Sequence, residues 1–242
     1  MKAHKTKFAL LLTILMTLVL SGCMYPADEK ATKENPYEDQ VETIQKAVDT
    51  YKESSGGLLP IKTRDLETDR YIKYPIEFSK IVPAYTEKIP SNAYENGGIF
   101  QYILIDVEEN PTVKLVDLRI AERIRELNLR RQINGSLPFK EAVGENVYEI
   151  DYEKMGFKSP LMVDSPYSNV QLPIVVSGDG NFYVDYSIEL NKILSEKKPD
   201  VKKGDDIRYL LEQDNLVVPA YSLPYTVNED NEPVFVGNIK SR

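Results

Sequence analysis

The chain has 242 residues, with 30 basic against 38 acidic side chains and a formal net charge of −8. One cysteine, Cys23, and one histidine, His4, rule out an intrachain disulfide, a cysteine-held iron–sulfur cluster and a multi-thiolate zinc site. The acidic balance speaks against a nucleic-acid partner and against a polybasic grip on anionic lipid.

The N-terminus carries Lys2, Lys5 and Lys7, then runs without a charge from 8 to 20 through Leu10, Leu11, Leu12, Ile14, Leu15, Leu18 and Val19. This is the n-region and h-region of an export signal. It is shorter than the roughly 20 apolar residues of a spanning helix. The run closes on Leu20-Ser21-Gly22-Cys23, which resembles the lipobox of bacterial lipoproteins. That resemblance implies that residues 1–22 are a signal peptide, and that Cys23 becomes the first mature residue with an S-diacylglycerol and an optional N-acyl chain. Two acyl chains anchor durably where one is marginal, so the expected location is the extracytoplasmic face of the cell membrane. Cleavage removes His4 and lipidation consumes the thiol. The mature chain then lacks the groups for Ser-His-Asp or cysteine nucleophiles, for His or thiolate metal sites and for His- or Cys-ligated haem. No cofactor is expected.

Residues 23–35 are polar and read as a tether, with an α+β ectodomain expected over 36–242. Asn35-Pro36 has the composition of a helix start, and Val41, Ile44, Val48 and Tyr51 follow on one face, up to Gly56-Gly57. Residues 100–107 and 112–118 form two β-rich runs around Glu108-Glu109-Asn110-Pro111, a hairpin pattern. A second helix follows with Ile120, Ile124 and Leu127 on one side and Gly135 beyond its end. Residues 170–176 and 182–186 predict a second hairpin around Ser177-Gly178-Asp179-Gly180-Asn181, and residues 188–198 a third helix stopped by Pro199. A third hairpin joins 225–227 to 234–236. Antiparallel hairpins with packed helices are therefore the expected architecture.

Local wording recurs along this order. Gly57-Leu-Leu-Pro-Ile-Lys62 parallels Gly135-Ser-Leu-Pro-Phe-Lys140, and Val82-Pro-Ala-Tyr85 parallels Val218-Pro-Ala-Tyr221. The triplets Ile72-Lys-Tyr74, Ile150-Asp-Tyr152 and Ile207-Arg-Tyr209 fall later in each stretch. Three degenerate helix–linker–hairpin units, 36–118, 119–187 and 188–238, would explain this wording; so would turns that each need Pro, Tyr and Gly. With its lipobox, acidic tether and Tyr- and Pro-rich mature region, the chain resembles the YphF-type lipoproteins of Gram-positive spore formers. The resemblance implies an envelope location and brings no activity with it. Residues 41–60 are also similar to the helix and Gly-x-x-Pro turn of pseudopilins, although lipobox processing would remove the apolar stalk that pilins keep.

Carboxylates are the abundant catalytic groups left. Asp106 and Asp117 interrupt the first hairpin, and Asp179 and Asp185 the second; a glycosidase needs two carboxyls about 5–9.5 Å apart. The alternative is a solvent-facing role, or helix capping by Asp117 and Asp185. Asp179-Gly-Asn181 and Asn228-Glu-Asp-Asn-Glu232 are oxygen-rich but lack EF-hand spacing. Ser195-Glu-Lys-Lys198 matches Ser-x-x-Lys without the Ser-Asp-Asn or Lys-Thr-Gly strings of penicillin-interacting enzymes. Sixteen tyrosines against seven phenylalanines suit either a glycan- or protein-binding surface or a sheet whose rings are packed and hydroxyls wet. The reading is a non-catalytic binding or scaffolding role in the envelope, with an envelope protein or glycan as partner. The alternatives are a carboxylate-dependent enzyme acting on wall polymer and a solute-binding receptor.

Overall fold

The computed structural model describes residues 37–236. The signal peptide, Cys23, the tether and the Asn35-Pro36 start lie outside the described residues. Helix α1 (Glu38–Ser54) buries Val41, Ile44, Ala47 and Val48, the stripe of a one-sided amphipathic helix. It ends where expected, with Gly56 and Gly57 at φ 75° and 95° and the Gly57 N–H on the Lys52 carbonyl at 2.9 Å.

Strands β1 (Phe100–Ile105) and β2 (Thr112–Asp117) pair antiparallel, Ile105 opposite Thr112 and Phe100 opposite Asp117. Both faces of this hairpin are covered. Phe100, Tyr102, Leu104, Val113 and Leu115 pack with the α1 stripe, while Ile103, Ile105 and Val116 pack with Tyr71, Val218 and Ala220. Successive side chains point to opposite faces, so two buried faces require a nearly continuous apolar run. Both edges are also occupied. On one side Ile76 N–H meets Tyr102 O and Leu104 N–H meets Tyr74 O, each at 2.9 Å. On the other, Leu115 N–H meets Leu216 O at 2.9 Å and Val218 N–H meets Leu115 O at 3.0 Å.

Helix α2 (Leu118–Asn134) follows at once, ended by Gly135 at φ 67°. Then come β3 (Phe139–Gly144), β4 (Val147–Ile150), β5 (Met162–Asp164), β6 (Gln171–Ser177) and β7 (Phe182–Val184), in one antiparallel sheet of order β3-β4-β6-β5 with β7 also on β6. Helices α3 (Ser187–Lys197) and α4 (Tyr209–Glu212) and the hairpin β8 (Tyr225–Val227) with β9 (Pro233–Phe235) complete the chain order. The core over this sheet joins Ile120 and Leu127 of α2 to Leu172, Ile174, Val176, Val184, Leu190, Ile207 and Leu211. The fold is α+β with antiparallel hairpins, as the sequence predicts.

The recurring words do not mark equivalent places. Ile72 sits half-buried in a turn, Ile150 closes strand β4, and Ile207 lies fully buried before α4, its N–H on Tyr225 O. Val82 is half-buried in a turn closed by its N–H on Phe78 O, whereas Val218 is fully buried and bonded to β2. Tyr221 stands at φ 57°, a value that its namesake Tyr85 does not share. The repeat is therefore local turn chemistry, and the stretch 119–187 holds a five-stranded sheet rather than a linker and one hairpin. Strand β3 gave no warning because none of its six residues is buried, leaving no apolar alternation to read.

Candidate functional site

Each of the four candidate acids is engaged locally. Asp106 occupies the turn after β1 at φ 50° and Asp117 the far end of β2, about 20 Å apart at the rise of an antiparallel strand. Asp106 meets Arg70 at 3.6 Å. Asp117, 2% exposed, caps α2 by accepting the Arg119 N–H at 2.9 Å, and its carboxylate also takes the Arg119 guanidinium. Asp185 accepts the Ser187 N–H and the Tyr225 hydroxyl, both at 2.8 Å. The capping reading holds at Asp117; Asp185 lies one residue before the α3 N-cap Tyr186 and braces the helix start through the Ser187 N–H.

Asp179 bonds Ser177 Oγ and Asn181 Nδ2 within its own turn. Asn228 likewise accepts the Asp230 and Glu232 N–H groups at 3.0 and 2.9 Å. These oxygens brace hairpin turns, and among the described residues no group of three or more His, Cys, Asp or Glu is placed to hold a metal ion. Ser195 donates to Lys192 O at 2.9 Å on an exposed helix end. The Ser177 hydroxyl, foremost, holds the Asp179 carboxyl below its ordinary range. A depressed folded pKa stabilises the fold above the unfolded value near 4, and that contribution fades as pH falls through the depressed value. Asp179→Asn is therefore expected to reduce the loss of stability between pH 6 and pH 3, read from urea midpoints at the two pH values.

The tyrosines mainly serve the core. Tyr71, Tyr102, Tyr186 and Tyr225 are buried, and among the described tyrosines Tyr94 alone is exposed, at 63%. The guanidiniums of Arg70 and Arg208 lie over the Tyr71 ring, 4.9 and 5.1 Å from its centre. Its hydroxyl has no hydrogen-bond partner in range although Glu212 stands beside it. Burial, then Glu212, pushes that phenol well above its ordinary range; burial does the same to Tyr167. Both stay protonated and neither is a base. Glu189, 4% exposed, accepts the hydroxyls of Ser165 and Ser168, closing the β5–β6 loop over Tyr167.

A groove of about 610 Å³ lies between α2 and β5, within the usual range of ligand clefts, about 300–1,000 Å³. Asp117, Arg119, Ile120, Arg123, Glu126 and Leu129 supply the helix wall, and Met162, Val163, Asp164 and Gln171 the strand wall. Its charges are mostly balanced: Arg125 meets Glu122 at 2.8 Å and Arg123 meets Glu126 at 3.5 Å. Asp164 lies within electrostatic reach of Arg119. Of these groove residues the sequence singled out Asp117, as a candidate acid, and Ile120, as part of a helix face. Three residues are too few for β5 to show alternation, and nothing local to either segment joins it to α2.

An α+β domain with a mixed-charge groove and locally engaged carboxylates thus defines the class. Residues 37–117, from the start of α1 through β2, match the model of the YphF family N-terminal domain. No curated protein and no solved structure matches the chain.

Proposed function

We propose that this protein is a lipid-anchored, extracytoplasmic binding module of the cell envelope with a non-catalytic role. The observation that carries the reading is the contrast between a formed groove at α2 and β5 and acids engaged in caps and turns. The location rests on the charged start, the apolar run and Leu20-Ser21-Gly22-Cys23. No helix among the described residues is long and apolar enough to cross a membrane; the anchor in this reading is the lipid on Cys23.

Cys23→Ala is expected to abolish incorporation of a palmitate analogue and to leave the precursor uncleaved at this site. Equal labelling of wild type and variant overturns the anchor. The binding role is tested by crosslinking in intact membranes with a C-terminal tag. A stoichiometric envelope protein or glycan supports it. Turnover of purified wall polymer by the full chain overturns it in favour of a carboxylate enzyme.

A further inference from the structure

The edge of β5 opposite β6 is built to pair. In an antiparallel ladder, residues alternate between facing the partner strand and facing away. Ser165 N–H bonds Val170 O at 2.9 Å, and Pro173, which lacks an N–H, gives its carbonyl to Asp185 N–H at 2.9 Å. With Met162 opposite Pro173 and Val163 opposite Leu172, this parity turns Val163 toward β6. The N–H and C=O groups of Met162 and Asp164 therefore turn away from β6, and among the described residues no other segment bonds them. Both residues line the groove.

We propose that an extended peptide segment of a partner protein binds in this groove as a strand added to β5; the proposal rests on the binding reading above and names its partner class. The recognition is by backbone. Donors and acceptors spaced along an extended edge complement another extended chain, and no sugar or polyphosphate presents amides at that repeat. Charge selects the same occupant. Arg123 and Arg125 are already met by Glu126 and Glu122, and Arg119 by Asp117. A polyanion would have to displace those carboxylates, whereas a peptide near neutrality, with an acid toward Arg119 and a base toward Asp164, adds to them. Leu129 on the helix wall, 54% exposed, gives its inward side chains apolar ground.

The probe is a displayed library of random twelve-residue peptides, selected against the full chain in detergent micelles. Enriched peptides are expected to slow hydrogen exchange at the Met162 and Asp164 amides. They should bind Asp164→Pro about tenfold more weakly, since that change deletes an outward N–H and leaves the β6 ladder intact. Leu129→Ser, which removes exposed apolar ground from the helix wall, should weaken binding without touching the strand, and covers the case in which the proline variant misfolds. Enrichment without protection at these amides, affinity unchanged by both substitutions, or no enrichment at all overturns strand addition. So does salt-sensitive binding of polyphosphate that outcompetes the peptides. A membrane partner that crosslinks equally to wild type and to both groove variants would leave the binding role standing while removing this site.

Discussion

Replacing Arg208 with Met is expected to lower stability by about 3–5 kcal/mol, the cost of leaving buried charges without their counter-ion. Arg208 is 4% exposed. Its Nε and Nη2 donate to Asp206 at 3.0 and 2.8 Å, and its Nη1 to Asp69 at 2.9 Å and Ser222 O at 3.1 Å. Burial alone would disfavour the cation. The bond to Asp206 and the charges of Asp69 and Asp206 outweigh it, raising the pKa above the ordinary arginine value, so the group stays charged at every accessible pH. Methionine keeps the stem but strands two carboxylates whose side chains are 29% and 30% exposed. Equilibrium urea unfolding gives the magnitude, and adding Asp69→Asn and Asp206→Asn should recover part of the loss, because each removes a stranded charge. A change below about 1 kcal/mol would mean that apolar contact with Tyr71, rather than charge, holds the seam.

That seam explains which parts of the fold were legible in the sequence. Elements with one-sided periodicity and a stop signal could be read: α1 by Val41, Ile44 and Val48 before Gly56, and α2 between the Asp117 cap and Gly135. The β1–β2 and β6–β7 hairpins could be read because their strands are apolar and their turns polar. The sheet around β6 could not, because β3 is unburied and β5 has three residues. Nor could the meeting of residues 206–222 with β2, since pairing across about a hundred residues leaves no local trace. The groove was lost for the same reason. Its two walls, α2 and β5, are separate in sequence, and each taken alone looks like surface. The acids that did stand out were locally conspicuous precursors of caps and turns, the commonest use of such residues.

A chain cut after Asp117, isolating the stretch matched by the YphF N-terminal domain model, is expected not to fold cooperatively. Its hairpin would lose the strand-like contact of Leu216 and Val218 with Leu115. Tyr71, Ile103, Ile105 and Val116, buried against Val218 and Ala220 in the whole protein, would face water. At about 1.5–3 kcal/mol for each large apolar side chain, re-exposing these four costs roughly 6–12 kcal/mol, comparable with the entire stability of a typical domain, about 5–15 kcal/mol. Polar partners go as well: Arg70 loses Glu212 at 3.0 Å, Asp69 loses Arg208, and Lys114 loses the carbonyls of Glu212 and Asn215 at 2.7 and 2.6 Å. Burial holds the Lys114 ammonium below its ordinary pKa, so those carbonyls matter to a group already partly desolvated. Circular dichroism of residues 37–117 should show a broad, non-cooperative melt, and amide proton shifts should lack dispersion. Adding residues 206–222 through a flexible linker long enough to reach the open edge of β2 should restore a cooperative transition. A sharp melt of the short fragment by itself would instead mean that α1 and the β1–β2 hairpin suffice, and that the C-terminal segment is bound to a domain already formed.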